Sequence, residues 1–499
     1  MLKTVTSATL CGAEAFVVVL EVLANEGPTA LEFHGLPDGA IREARIRVRS
    51  AIREAGFTWP AGQRVLVRVV IADGPLLPTT LDLPAAVGIL QALELLSDDQ
   101  LKRVEGALIV GELGLDGDVR GISGATPIIE LANRLGKKVV VVPEANRGEG
   151  IDLITSEGTC LRPAASLSGL LNGEFCDVRS MSGYPLPGSR DSNLCLSDIH
   201  GLQYQKRALL TAAVGGFSLL INGTPSSGKT MLAKRLPGIL PLMTPEEELD
   251  VRRVYSVAGL LQGAGRHTSR PYRTPHHTCS LVGMTGSESY SRAGEISLAS
   301  GGVLYLDELA EFDLDTLEAT FDAIDAEEVR VGRAVFPARS QVVGSMYQCP
   351  CGFWQAKEAN HSCTCSGKDI SDYWDRGRTW LNRFDISTLH RQVPYRHLAL
   401  GAKDGMTSLE ARDLVTKARK EVASGDIIWS VTARDALLSI CMEDNPDEAT
   451  LNLLRFAAQI ECALCGEDEI TEEHLATALP YMAHRWPTAR AAALQREAA

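Results

Sequence analysis

The 499-residue sequence lacks any apolar stretch of the length a bilayer demands, and its opening Met1-Leu-Lys-Thr-Val-Thr-Ser-Ala is broken by hydroxyl side chains where an export signal would be continuously apolar. A cytoplasmic protein with no membrane contact is the expectation. Aromatic residues are sparse, at 5%, yet 45% of residues are hydrophobic, so the two to four domains expected at this length have ample aliphatic cores. Positive charge is also short: 49 Lys and Arg stand against 63 Asp and Glu, for a formal charge of −14. A protein so acidic repels phosphate polymers at long range and binds nucleic acid only through a locally basic pore or loop. Without an export signal, the 12 cysteines are expected as reduced thiols, and close clusters among them point to metal ligation rather than disulfides.

The densest chemical signal follows the apolar run Phe217-Ser-Leu-Leu-Ile221. Residues Gly223, Thr224, Pro225, Ser226, Ser227, Gly228, Lys229 and Thr230 complete the pattern G-x-x-x-x-G-K-[ST], and Met231-Leu-Ala-Lys-Arg-Leu236 continues as a helix. A strand feeding a glycine turn and a helix aims backbone N–H groups at a nucleotide's phosphates. Lys229 is expected to neutralise the β- and γ-phosphates of ATP, and the Thr230 hydroxyl to take one magnesium position. Downstream, Gly302-Val-Leu-Tyr-Leu-Asp-Glu-Leu309 reads as a buried strand ending in two acids. Asp307 is the expected second magnesium-side residue, and Glu308 the base that orients and deprotonates the attacking water.

Three regions emerge, in an α/β class. Residues 1–172 alternate β-rich runs (16–20, 65–70, 139–142) with helical patterns, one of which, 38–55, sets Ile41, Ala44, Val48, Ala51 and Ile52 on one face. Asp38 is its expected N-cap, and Arg42, Arg45, Arg47, Arg49 and Arg53 are read as a solvated face. Residues 173–193, rich in Gly, Pro and Ser, read as a linker. The nucleotide-binding core runs over 194–395, with a Cys-rich loop at 349–365, and an all-helical domain over 396–499 includes patterns at 406–424, 430–442 and 447–465 and a helix start at Thr471-Glu-Glu-His474. Within the loop, Cys349, Cys351, Cys363 and Cys365, with His361 between the pairs, either hold structural zinc in four-thiolate coordination or form a reduced loop. Cys462 and Cys465, at helical spacing, are read as core packing.

The run Pro271-Tyr-Arg-Thr-Pro-His-His277, then Gly294-Glu-Ile-Ser-Leu-Ala299 and the acidic strand, resembles the ComM (YifB) group of magnesium-chelatase-like AAA+ ATPases. The resemblance spans nearly the whole chain, including Gly35-Leu-Pro-Asp38, Asp82-Leu-Pro84, Val110-Gly-Glu-Leu-Gly-Leu115, Ile199-His-Gly201, Lys206-Arg-Ala208 and Met231-Leu-Ala-Lys-Arg-Leu-Pro-Gly-Ile-Leu240. It implies an AAA+ core with a C-terminal helical lid, a homo-oligomeric ring, usually a hexamer, with ATP bound between subunits, and single-stranded or branched DNA remodelled in the pore, as in branch-migration helicases that assist DNA uptake. Arg383, in Leu381-Asn-Arg-Phe-Asp385, then resembles an arginine finger, against the plainer reading of an interhelical ion pair. Arg330 and Arg333 on a hairpin at 329–337, with the 270–277 segment, become the basic groups facing the pore.

The same resemblance implies an N-terminal domain similar to the proteolytic domain of Lon. The serine–lysine dyad is absent: Asp82-Leu-Pro-Ala85 stands at the serine's place and Thr126 at the lysine's, so no acyl-enzyme can form. The ATP site departs from the family as well. Tyr347 replaces a water-polarising asparagine, and Glu448 and Ala458 replace two arginines of the helical tail. Loss of one polarising donor typically costs about a hundredfold in rate, so slow hydrolysis is expected, and a chelatase-like protein remodeller or regulatory ATP-binding scaffold is the alternative function.

Overall fold

The computed structural model describes residues 2–71, 78–150, 153, 159–178, 194–261, 269–287, 292–354, 362–390 and 405–485. Its N-terminal third is a seven-stranded mixed sheet built from β1 (Leu2–Cys11), β2 (Glu14–Glu26), β3 (Ala30–His34), β4 (Gln63–Ile71), β5 (Leu108–Ile109), β8 (Val139–Pro143) and β9 (Cys160–Ala164), with β6 (Glu112–Leu113) and β7 (Val119–Arg120) forming a separate small hairpin. The strand order is β3-β4-β2-β1-β5-β8-β9. The β1–β2 and β2–β4 pairs are antiparallel and the remaining pairs parallel.

The helix Asp38–Glu54 covers this sheet with Ala44, Val48, Ala51 and Ile52, the stripe its periodicity predicts. Two details differ from the sequence reading. Pro37, not Asp38, occupies the N-cap, because Pro37 holds extended backbone (φ −62°, ψ 145°) and Asp38 is already the first helical residue. Arg47 is not solvated: its Nε lies 2.7 Å from Oδ2 of Asp82, which is 1% exposed. Burial pushes Asp82 up to about 6 despite that arginine, which marks the pair as poorly hydrated.

The second sheet consists of five parallel strands, β10 (Leu219–Gly223), β11 (Tyr272–Arg273), β14 (Val303–Leu306), β17 (Gln341–Met346) and β18 (Ile386–His390), in the order β11-β14-β17-β10-β18. β10 and β14 are buried along their whole length, which is why they read as unbroken apolar runs rather than alternating ones. Two short antiparallel ribbons attach to this core: β12 (Gly286–Ser287) with β13 (Arg292–Ala293), and β15 (Glu328–Val331) with β16 (Ala334–Pro337). The C-terminal region packs helices Ser408–Ser424, Val431–Asp444, Glu448–Cys465 and Glu472–Ala478 against the core. It is not purely helical, since β19 (Ile428–Trp429) pairs in parallel with β20 (Glu469–Ile470).

The N-terminal sheet and the five-stranded parallel sheet share one continuous apolar cluster that includes Ile128, Val254, Leu306 and Phe384. Helix Ala125–Arg134 lies against helix Pro245–Val257, whose start is fixed by a Thr244–Glu247 capping box and a first-turn proline. A buried polar knot sits in the contact. Asn146 Nδ2 donates to Glu149 Oε1 at 2.6 Å, Ser256 Oγ donates to Oε2, and Arg252 Nη2 donates to the Glu149 carbonyl at 2.8 Å. Thr126, at the lysine's place of the protease-like reading, is fully buried in this knot, and its N–H donates to Ser256 Oγ at 3.1 Å. Of the linker 173–193, residues 173–178 return to the sheet, with Val178 bridging Leu161, and 179–193 lie outside the described residues.

Candidate nucleotide site and cysteine centre

β10, between β17 and β18, ends at Gly223, and the chain turns through Ser226 and Gly228, both left-handed (φ 60° and 88°), into the helical turn Lys229–Ala233. Ser227 Oγ pins the loop by donating to the Thr224 carbonyl at 2.8 Å. Lys229, 7% exposed, folds back into the loop, with Nζ 3.0 Å from the Gly223 carbonyl and 2.8 Å from that of Thr224. Burial lowers its pKa to about 8, opposed by the carboxylates of Asp307 and Glu308. Thr224 Oγ1 is buried without a hydrogen-bond partner.

The acidic pair arrives from β14, separated from β10 by β17 alone. Thr230 Oγ1 stands 3.5 Å from Asp307 Oδ2, while Asp307 Oδ1 accepts from Tyr305 OH at 2.9 Å and from Ser345 Oγ. Oxygens of an octahedral magnesium ion bound at about 2.1 Å lie about 3 Å apart, so the Thr230–Asp307 spacing fits such an ion, and Lys229 with the loop N–H groups fits a polyphosphate. Glu308 sits at φ 57°, a strained position for a non-glycine residue just past the strand end. Tyr347 OH lies 3.4 Å from Glu308 Oε1, and His277 Nδ1 lies 3.4 Å from Oε2. The Tyr347 ring also faces Lys229 Nζ at 4.4 Å. Sequence reasoning assigned no role to Tyr305 or Ser345, and placed His277 only within the 270–277 segment expected to face the pore. Tyr305 and Ser345 carried a signal as polar residues within otherwise apolar strands that end at the same edge.

The structure does not bring Arg383 to these groups. Its Nη2 pairs with Asp325 Oδ2 at 2.6 Å and its guanidinium rests over the Phe321 ring at 5.2 Å. Glu448 is the first residue of its helix and Ala458 is buried in the C-terminal core. The 270–277 segment spends its arginines internally: Arg273 forms two bonds to Glu295 at 2.7 and 2.6 Å, and Arg270 binds the carbonyls of Pro241 and Gly301 and the Glu247 carboxylate. Arg330 is 70% exposed but pairs with Glu328 on its own strand.

β17 runs directly into the cysteine loop. Cys349 Sγ lies 3.4 Å from Cys351 Sγ and 3.8 Å from Cys363 Sγ, the Cys351–Cys363 separation is 3.6 Å, and with Cys365 all four sulfurs fall within 4.8 Å of one another. A tetrahedron with zinc–sulfur bonds of about 2.3 Å has edges of about 3.8 Å, so the donor set and its size both fit zinc. Burial pushes the Cys349 thiol up to about 12; for Cys351 burial is outweighed by N–H groups of Phe353 and Thr364, and it falls to about 6. His361 lies outside the described residues. The centre touches the phosphate loop: Gly352 has φ 81°, and a Cβ there would stand 2.7 Å from Pro225 Cγ and Cδ. At the other cysteine pair, Cys462 is buried in the core whereas Cys465 is exposed and accepts from Arg207.

Residues 195–398 match the family model described as magnesium chelatase, subunit ChlI, and residues 20–146 match that described as subunit ChlI of Mg-chelatase. Over 508 residues, 97% of each chain, the sequence is 34% identical to the competence protein ComM of Haemophilus influenzae. The chain belongs to the ComM/YifB family of magnesium-chelatase-like proteins. Other relatives include YifB of Salmonella typhimurium, 33% identical over 95% of each chain, and the protein Rv2897c of Mycobacterium tuberculosis, 34% identical over 84% of this chain and 82% of its own. Among the described residues, no helix is long and apolar enough to cross a membrane.

Proposed function

We propose that this protein is a magnesium-dependent ATP hydrolase that works as a homo-oligomeric ring, usually hexameric in the resembled family, and remodels single-stranded or branched DNA in the cytoplasm. The observation that carries the ATPase reading is the gathering of Lys229, Thr230, Asp307 and Glu308 at one edge of a parallel sheet: Thr230 meets Asp307, Asp307 and Glu308 share Ser345 Oγ, and Lys229 and Glu308 both contact Tyr347. Lys229 leaves the two loop carbonyls to meet the β- and γ-phosphates, the loop N–H groups hold the remaining oxygens, and Thr230 and Asp307 hold magnesium. The metal supplies charge neutralisation on the phosphates. Glu308 takes a proton from the water that attacks the γ-phosphorus as the bond to the β–γ bridging oxygen breaks and ADP leaves, and Tyr347, at the place of a polarising asparagine, reaches Glu308 rather than open space.

Arg383 is assigned to the neighbouring subunit's γ-phosphate, which requires it to exchange Asp325 for that anion on assembly. The Cys349, Cys351, Cys363 and Cys365 sulfurs are assigned to one structural zinc. The N-terminal domain, protease-like in the resemblance but without nucleophile or base, is assigned a scaffolding role.

A specific observation favours a second reading, in which the substrate is another protein. Arg270, Arg273 and Arg330 are all neutralised by carboxylates of the same chain, which weakens the basic surface that a pore for DNA needs. Binding of forked and single-stranded DNA oligonucleotides, titrated against salt with ATP and magnesium present, decides between them. A steep loss of affinity with salt supports the DNA motor, and no binding at low salt supports the protein remodeller.

A further inference from the structure

Helix Asp38–Glu54 divides its arginines between two directions. Arg47 turns inward to Asp82, and Arg53, in the last turn, pairs with Glu54 at 3.2 Å. Arg42, Arg45 and Arg49 point outward, all exposed, and among the described residues none of the three has a carboxylate within ion-pairing distance. The neighbouring acids are already committed: Glu43 to Arg47 at 3.4 Å, and Glu32 to Arg64 through bonds of 3.0 and 2.9 Å. At 3.6 residues per turn the three guanidinium groups fall within about 60° of one another around the axis and about 4.5 and 6 Å apart along it. They form one ridge, with Ile46, 62% exposed, beside it.

In a chain of formal charge −14 such a ridge is a local reversal of sign, and guanidinium forks match phosphate oxygens in pairs. Arg270, Arg273 and Arg330 are each neutralised by a carboxylate of the same chain, whereas the ridge keeps its charge. The ridge is also held rigid. Ala44, Val48, Ala51 and Ile52 anchor the helix beneath it, Ser50 Oγ donates to the Leu115 carbonyl at 2.8 Å, and Arg49 rests 5.8 Å over the Trp59 ring, a contact that leaves its charge intact. Along β8, Val140 and Val142 join the cluster shared with the five-stranded sheet, and Val141 joins the cluster under this helix, so the ridge and the five-stranded sheet lie on opposite faces of the N-terminal sheet. The acidic helix Leu314–Asp325 of a second copy would be the other complementary surface, but two of its four acids, Asp322 and Asp325, already engage Arg383.

Resting on the DNA-remodelling reading, we propose that Arg42, Arg45 and Arg49 hold the phosphate backbone of single-stranded DNA on the N-terminal domain, a contact separate from the ribbon 328–337. It grips phosphates and reads no bases, so it is indifferent to sequence and steep in salt. Anisotropy titrations of the full-length protein with a labelled single-stranded DNA oligonucleotide, repeated over a range of potassium chloride with ATP and magnesium present, test this. Changing all three arginines to Glu is expected to weaken binding at least tenfold at low salt and to reduce the slope of log affinity against log salt by about 2, while ATP affinity, melting temperature and oligomer mass match the parent. Changing all three to Lys keeps the charge and should leave binding within about threefold of the parent. In that variant the oligonucleotide should also shield the amines at 42, 45 and 49 from acetylation by a succinimidyl ester, read by mass spectrometry. Unaltered affinity and slope in the Glu variant, or equal acetylation with and without DNA, overturns the proposal. Loss of oligomer mass in the Glu variant overturns it too, since the ridge would then be a contact between copies. The two readings fail differently: a parent that binds no oligonucleotide at low salt removes the DNA reading and the ridge with it, whereas a parent and Glu variant that bind equally remove the ridge alone.

Discussion

Lys229 and Glu308 separate two functions that the site combines. Lys229 reaches two carbonyls of the loop with its ammonium group, so a methyl group in its place removes that cation from the loop's interior. Lys229→Ala should weaken ATP binding at least tenfold by fluorescence titration, and unaltered affinity would sink the site assignment. Glu308→Gln retains the amide-sized contacts to Tyr347 and His277 but removes the proton acceptor, so binding should persist while turnover falls at least a hundredfold. Two buried histidines contribute to the pH response, opposed by the raised carboxyl of Asp82. Burial lowers His390, seated beside the phosphate loop on β18, to about 3, and His484, bonded to Ser387 Oγ and the Phe384 carbonyl, to about 4. Both folded values lie below the free value near 6.5, so the stability these groups contribute is complete above pH 6.5 and is lost as pH falls toward 4. At pH 5 each histidine should cost about 2 kcal/mol, and denaturant titrations at pH 7.5 and 5 should show His484→Asn with a flatter pH slope than the parent.

At the scale of elements, the cysteine loop and the phosphate loop behave as neighbours in one structure. Gly352 seats against Pro225, the Tyr347 ring covers Lys229, and Trp374 Nε1 binds the Gln348 carbonyl at 2.9 Å, so the loop after β17 is braced from both sides. Zinc ligation by four thiolates should hold that brace. Protein purified without added metal is expected to carry one zinc per chain, and its removal by chelation should lower ATP affinity several-fold; thiols fully titratable before chelation, with under about a tenth of an equivalent of zinc, would refute it. The elements that the sequence made legible are those set by burial: the apolar runs of β10 and β14 and the periodic face of Asp38–Glu54 each declare which side meets the core. Side-chain partnerships across distant segments were not legible. Arg47 on a helix face reads as solvated because nothing local reveals that Asp82, thirty-five positions on, is buried beneath it. Arg270 and Arg273 read as phosphate binders for the same reason, since their carboxylate partners at 247 and 295 become neighbours only after the parallel sheet closes. The His277–Glu308 contact is of this class too, and periodicity carries no trace of it.

Across the whole molecule, the first β-turn of the N-terminal sheet reaches the ribbon that the DNA reading places in the pore. Ala13 N–H donates to the Val335 carbonyl at 3.1 Å and Cys11 Sγ to that of Arg333 at 3.3 Å. Gly12, between them, has φ 63°, and a Cβ on it would lie 2.2 Å from Val335 O and 2.6 Å from Val335 N, backbone atoms that cannot swing aside. The ribbon's orientation therefore depends on a domain outside the nucleotide-binding core. Rotation of the N-terminal sheet against that core is resisted by the Glu149 knot and by Arg253, which holds Glu130 through bonds of 2.8 and 2.7 Å. Gly12→Val should push the ribbon off the turn while leaving the phosphate loop, on the far sheet, untouched. ATP affinity is expected to match the parent, whereas DNA affinity and DNA-stimulated turnover should fall at least fivefold, as they should when Arg330 and Arg333 are both changed to Glu. The two sets of changes act on one ribbon, so combining them should add little to either alone. If Gly12→Val binds DNA with the parent's affinity and salt dependence while its melting temperature falls, the turn serves only to hold the domains together, and the DNA contact, if there is one, lies away from residues 328–337.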